Sequence, residues 1–249
     1  MAEKLQRWKC ACAYDGTGFN GWQSQPDGRS VQDVIERRLQ WIFGRRVRIH
    51  GSGRTDAGVH ALAQVFHFEA DWPHGPEKLL AAFRGGLPPT LQVKSARTVP
   101  RTFHSRFSAK GKIYFYQLHH GGRADPFHHP FCWSLARPLD VAAMRAAAKK
   151  LVGRHDFRAF AADNGAERED TVRHLRRLKV TGRGARLRIT AEADGFLYKM
   201  MRGVVGALVA AGQGKLTPAR VGALLRRARR THAVQTAPAP GLFLARVIY

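Results

Sequence analysis

The chain has 249 residues, 44% of them hydrophobic and 24% charged, proportions of a globular chain that exclude wholesale disorder and a fibrous repeat. Lys plus Arg number 42 against 18 Asp plus Glu, a formal net charge of +24, which repels cations and attracts polyanions, nucleic acid first and an anionic membrane surface second. Cys10, Cys12 and Cys132 are too few for a disulfide scaffold, no apolar run reaches the roughly 18 residues of a membrane span, and MAEKLQRWKC lacks the apolar centre of a signal peptide, so a soluble cytosolic protein is expected.

In chain order, WKCACAYDG reads as a strand entering a turn at Asp15-Gly16, and GFNGWQSQPDGR as a loop. Ser30 can cap a helix whose apolar stripe is Val31, Val34, Ile35, Leu39 and Ile42. RVRIH predicts a short strand, GSGRTDAGVH a loop, AQVFHFEA a strand, PEKLLAAFRGGLPP a short helix and LQVKSARTV a strand. The first domain, 1–105, is thus β, α, β, β, α, β.

The second domain, 106–249, opens with KGKIYFYQLH, a strand apolar on both faces and so central in a sheet. A His- and Pro-rich loop leads to an Ala-rich helix from Val141 to Val152 capped by Asp140. TVRHLRRLKVTG and ARLRITAEADG predict a hairpin, and FLYKMMRGVVGALVAAG a helix whose Gly203 and Gly206 allow close approach to a sheet. Thr217-Pro218 starts a further helix, and GLFLARVIY is a closing strand. Both halves mix antiparallel strands with helices, which is an α+β pattern.

Up to residue 105 there are 15 basic and 9 acidic residues, and beyond it 27 basic and 9 acidic. Lys78 to Ala124 and Gly195 to Tyr249 contain no Asp or Glu, and in FHSRFSAKGKIYFY and FLYKMMR the basic residues alternate with aromatics. A surface that holds phosphates and stacks bases needs both; a basic sheet face with its aromatics in the core has the same composition. Arg226, Arg227, Arg229 and Arg230 form a basic helical end, either a phosphate contact or a solvated face.

Three glycines (Gly51, Gly53, Gly58) bracket Arg54, Thr55 and Asp56. Such a turn approaches a ligand closely and displays Arg54 and Asp56. A carboxylate beside a guanidinium stays ionised and can act as nucleophile or base; the commoner use of Asp in a loop is to bond its own turn. No Gly-Lys-Ser/Thr follows, so this is no phosphate loop. Cys10 and Cys12 share a strand face, and His119, His120, His128 and His129 share a loop, but their spacing fits no usual zinc pattern. A non-catalytic RNA-binding protein accounts for the charge but not for a carboxylate in the turn. A nuclease commonly gathers several carboxylates around metal ions, whereas Asp56 is the only one in its loop.

The segment Gly51 to Phe68 closely resembles the bacterial tRNA pseudouridine synthase A family, whose hallmark is G-(A/S)-GRTD-x-GVHA-x-x-QV. YDGTGFNGWQSQP, FHSRFSAKGKIYFY, GRHDFRAFA, TVRHL, FLYKMMRGVVGAL with GQGK, and TAPAPGLFLARVIY follow in the family's order. The resemblance implies two α+β domains of similar topology, each a mostly antiparallel sheet with helices, joined sheets and a basic cleft. It implies a homodimer that uses no cofactor and isomerises uridine to pseudouridine at positions 38, 39 and 40 of the tRNA anticodon stem-loop, and the composition and residue spacings above add a cytoplasmic protein with no metal and no membrane partner. It matches Asp56 to the catalytic aspartate and Arg54 to the arginine beside it. It matches Tyr114, two residues before Tyr116 on the same strand face, to the active-site tyrosine. Arg202 matches a cleft arginine, and Gly241-Leu242 a turn near the base pocket. Arg84, Thr90, Lys199 and Ala63 depart from the common Asn, Asp, His and Gly, which bears on fine substrate choice.

Overall fold

The computed structural model describes residues 5–163, 170–227, 231–232 and 234–249. The chain divides into two compact units, Met1–Lys110 with Leu244–Tyr249, and Gly111–Phe243.

The first unit comprises β1 (Gln6–Tyr14), α1 (Val31–Phe43), β2 (His50–Gly51), β3 (His60–Ala70), α2 (Gly75–Arg84) and β4 (Leu91–Val99), in the expected order. Strand β1 runs antiparallel between β3 and β4. Its alternation buries Trp8, Cys10, Cys12 and Tyr14 on one face. Ile35 and Leu39 of α1 and Leu79 and Phe83 of α2 are fully buried, and Phe83 stands edge-on to Phe66 and Phe68 at 6.4 and 6.5 Å. Truncating a buried aromatic of this kind typically costs 3–5 kcal/mol.

Helix α1 starts where Ser30 Oγ accepts from the Asp33 N–H and the Asp33 carboxylate accepts from the Ser30 N–H, and it stops at Gly44, whose φ of 67° is left-handed. Of the expected strand RVRIH only His50 pairs, in the two-residue β2. The cause is Glu36 of α1, which accepts the Ile49 N–H at 3.1 Å and so takes a donor that a ladder would use.

On the sheet's opposite face, Arg7 pairs with Glu69 at 2.6 Å and donates to the Phe103 carbonyl at 2.7 Å. Tyr249 donates its hydroxyl to the Ser105 carbonyl at 2.7 Å, Lys9 Nζ sits 3.6 Å from the Tyr249 ring, and the Lys110 N–H bonds the Ile248 carbonyl at 2.8 Å. These contacts hold 103–110 and the chain end in the first unit. The division therefore falls later than the expected 1–105 and 106–249 limit, and the final residues leave the second unit.

The second unit comprises β5 (Gly111–His120), β6 (Trp133–Leu135), α3 (Val141–Lys149), β7 (Gly153–Asp156), β8 (Val172–Arg183), β9 (Arg186–Ala193), α4 (Met200–Gly212) and α5 (Pro218–Ala223), and it reaches into β10 (Leu242–Ile248). Strands β5, β9, β8 and β7 pair antiparallel in that order, and β6 runs parallel to the end of β5. Helix α3 ends at Lys149, three residues before the expected Val152, as the Lys150 and Leu151 N–H groups tighten onto the Ala147 and Ala148 carbonyls. Almost every residue of α4 is buried. Gly203 and Gly206 face a 3-10 turn and a loop rather than a sheet: a Cβ at Gly203 would lie 2.1 Å from the Phe160 carbonyl oxygen, and one at Gly206 1.9 Å from that of Gln235. Each unit is α+β, with helices accompanying a mostly antiparallel sheet.

Candidate active site

In the first unit the loop between β2 and β3 carries Arg54, Thr55 and Asp56. Gln64 of β3, fully buried, lies beneath it: its Nε2 donates to the Gly53 carbonyl at 2.9 Å and its Oε1 accepts from Ser52 Oγ at 2.6 Å. Tyr14 Oη and Thr55 Oγ1 are 2.8 Å apart, and the Trp22 N–H donates to the Thr55 carbonyl at 3.0 Å. The chain around Gly21 presses against the loop; a Cβ there would lie 2.6 Å from the Thr55 carbonyl oxygen, and the φ of 80° also requires glycine. Gly51 leaves room for the Trp22 indole, whose Nε1 would be 2.3 Å from a Cβ at that position.

The Asp56 carbonyl accepts from the Val59 N–H at 3.1 Å, closing the turn, and its side chain is half-buried. Arg54 is exposed and donates from Nε to Gln23 Oε1 at 3.1 Å. Asp56 is thus presented by a loop anchored from beneath and from one side, the preorganisation a reacting group needs. Sequence reasoning missed Gln64, Tyr14 and Trp22 as supports. The available signal was Gln64, a polar residue on the apolar face of a strand, opposite Cys12.

In the second unit, β5 places Tyr114 and Tyr116 on one face, both buried. The Tyr114 ring meets Phe196 edge-on at 4.9 Å. Tyr116 donates its hydroxyl to the Pro238 carbonyl at 2.7 Å, and Arg202, in the first turn of α4, donates from Nε to the Ala237 carbonyl at 2.7 Å. Two consecutive carbonyls before the Gly241-Leu242 turn are therefore held by these two side chains. A Cβ at Gly241 would lie 2.5 Å from the Tyr116 ring. Lys199 caps α4 with φ 55° and is, among the described residues, the one non-glycine residue with positive φ. Such a conformation costs about 1–3 kcal/mol and marks positions that the surroundings over-determine.

The aromatics of the basic segments divide. Tyr114, Phe115 and Tyr116 are buried, with Phe115 stacked on Phe243 at 4.7 Å and beneath Arg188 at 4.4 Å. Phe107 and Tyr198 are exposed beside Arg106 and Lys199. Strands β8 and β9 expose Arg176, Lys179, Arg183, Arg186 and Arg188. Arg226 ends a short 3-10 turn and Arg227 follows it, while Arg229 and Arg230 lie outside the described residues. Arg84 and Thr90 are exposed.

Burial pushes the Cys10 and Cys12 thiols up, away from the thiolate that a metal would bind. Among the described residues no three His, Cys, Asp or Glu side chains are gathered as metal ligands, and no helix is long and apolar enough to cross a membrane.

A carboxylate set in a braced glycine turn, on a strongly basic α+β chain, has the attributes of an enzyme acting on RNA. The family described as tRNA pseudouridine synthase matches residues 10–108 and 147–249. The tRNA pseudouridine synthase A of Brevibacillus brevis is 40% identical over 245 residues, covering 98% of this chain and 100% of the relative. That of Geobacillus kaustophilus is 41% identical over 245 residues, covering 98% and 95%, and that of Afipia carboxidovorans 41% over 248 residues, covering 98% and 100%. The chain belongs to the tRNA pseudouridine synthase family.

Proposed function

We propose that the chain isomerises uridine to pseudouridine in tRNA, at positions 38, 39 and 40 of the anticodon stem-loop, and that it works in the cytoplasm as a homodimer with no cofactor. The observation that carries the reading is Asp56, a carboxylate presented by a rigidly supported turn in a chain of net charge +24. A carboxylate repels RNA, so its place there is chemical.

The reaction breaks the C1′–N1 bond, turns the detached uracil and joins C1′ to C5. The C5 proton leaves and N1 gains one, so no electron is gained or lost. Asp56 supplies the carboxylate, whether it attacks C1′, attacks C6 or assists a glycal route; each needs it ionised. Tyr114 stacks on the base while it turns, and its phenol is the group we assign to the C5 proton. Arg54 and Arg202 bind flanking phosphates. A nucleotide in a stem must first leave the stack, at a cost of a few kcal/mol, which phosphate contacts to the basic residues offset. Arg84 and Lys199 add charge at exposed and half-buried positions and bear on which tRNAs are preferred.

The test is to incubate unmodified tRNA transcripts with the protein, derivatise with carbodiimide and map reverse-transcription stops. Stops one nucleotide 3′ of positions 38, 39 and 40 support the reading. Stops elsewhere overturn the position, and none at all overturns the activity.

A further inference from the structure

Trp41, near the end of α1, is 73% exposed, whereas Trp8 and Trp22 are buried. Its setting is built. Arg38, one helical turn earlier, donates from Nε to the Ala82 carbonyl of α2 at 2.8 Å, and from Nη2 to the same oxygen. Its guanidinium packs against Gly86, where a Cβ would come within 2.7 Å of Cζ. The guanidinium carbon stands 4.2 Å from the Trp41 ring centre. One face of the indole is thus fixed on an immobilised cation, and the rest of the ring looks into a groove lined by Val34, Arg37, Arg38, Trp41, Gly86 and Pro88. No carboxylate lines it. From Arg37 to Arg48 the chain has five arginines and no Asp or Glu, and Arg37, Arg45, Arg46 and Arg48 are exposed.

We propose that Trp41 and Arg38 form a stacking platform for an unpaired nucleotide of the tRNA, separate from the nucleotide presented to Asp56, with neighbouring arginines on the flanking phosphates. The inference takes tRNA as partner from the function proposed above. A nucleotide offers both things the surface asks for, a flat π-face for the indole and an anion for the arginines. A second copy of the chain docked two-fold on this face would set arginines against arginines. An anionic lipid headgroup would use the charge and leave the indole without a stacking partner.

The experiment is equilibrium binding of a tRNA transcript, and of a fully paired RNA duplex, to wild type, Trp41→Ala and Trp41→Phe, with sedimentation velocity and thermal unfolding of each protein. Trp41→Ala, which removes an exposed ring, is expected to unfold like wild type and to bind tRNA about tenfold more weakly, the scale of one base–aromatic stack. Trp41→Phe should recover most of that loss, and duplex affinity should change less than twofold. Equal tRNA affinity of Trp41→Ala and wild type overturns the proposal. So does a shift of Trp41→Ala to a smaller species in sedimentation, which would assign the face to a second copy. An equal loss on duplex overturns the unpaired nucleotide. If wild type binds tRNA but makes no pseudouridine, the proposed function fails and the platform stands. If it isomerises and Trp41→Ala binds normally, the platform fails alone.

Discussion

The Tyr116 hydroxyl donates to the Pro238 carbonyl, 122 residues away in sequence, at 2.7 Å, and the Tyr116 ring fills the space beside Gly241. Alternation puts Tyr114 and Tyr116 on one strand face, and the resemblance singles out Tyr114, which leaves Tyr116→Phe with no expected effect. The buried hydrogen bond changes that expectation. Tyr116→Phe leaves a carbonyl short of a partner and should lower unfolding stability by about 1–2 kcal/mol. Gly241→Ala drives a methyl into the ring and should lower it by about 1–3 kcal/mol. Urea unfolding of both variants measures this, and a loss under 0.3 kcal/mol (roughly the scatter between unrelated surface changes) in either would mean that the contact carries no weight.

Gln64→Leu tests the support beneath Asp56. The change keeps volume but strands the Gly53 carbonyl and the Ser52 hydroxyl. An unsatisfied buried group costs about 1–3 kcal/mol. Since the loop also positions Asp56, kcat should fall by at least about tenfold while tRNA affinity changes little; steady-state kinetics and binding on the same preparation separate the two. Unchanged kcat would show that the loop holds its shape without Gln64.

Much of this framework is legible from sequence and part is not. Helix α1 announces itself through Ser30 and the stripe Val31, Val34, Ile35, Leu39 and Ile42, because a cap and a helical period are local signals, and β4 is legible although its alternation breaks at Ser95, where its register shifts against β1. Strands β6 and β7 have three and four residues, too short for a period to register. The RVRIH strand fails because Glu36, from another element, takes the Ile49 N–H. Asp56 has the chemistry of a nucleophile, yet Asp in a glycine turn commonly does no more than bond its own backbone; it was the resemblance over Gly51 to Phe68 that singled it out. The left-handed Lys199 and the Tyr116–Pro238 bond carry no local signal, since each is imposed by packing that only the folded chain brings together.

Acid should weaken the first unit through His67, which is buried and accepts the Ser105 N–H on Nδ1 at 3.2 Å. Burial, then the neighbouring His104 and His50, pull its pKa from 6.5 to about 4. Between those values the unfolded chain holds a proton that the folded chain refuses, so stability falls as pH drops from 6.5 to 4, by up to roughly 3 kcal/mol. Urea midpoints at pH 7 and pH 4.5 should differ in wild type and differ less in His67→Gln, whose side-chain oxygen can still accept the Ser105 N–H. Equal slopes in the two proteins would remove His67 as the cause.

Affinity for tRNA should fall steeply with salt. Each phosphate neutralised contributes about −0.7 to −0.9 to the slope of log K against log salt, and several contacts give about −3 or steeper. Filter binding between low and physiological salt measures it. A slope near zero would mean that the exposed arginines of β8, β9 and α1 are not the binding surface.

The most direct test of Asp56 as the reacting carboxylate is tritium release from tRNA carrying 5-tritiated uridine, because joining C1′ to C5 expels that hydrogen, whereas binding or strand cleavage does not. Wild type should release label to water. Asp56→Asn, which keeps the shape of the turn, should release it at less than about a thousandth of that rate, a difference of about 4 kcal/mol in the barrier, while still binding tRNA. Release by Asp56→Asn within tenfold of wild type, or none from wild type, would contradict the account.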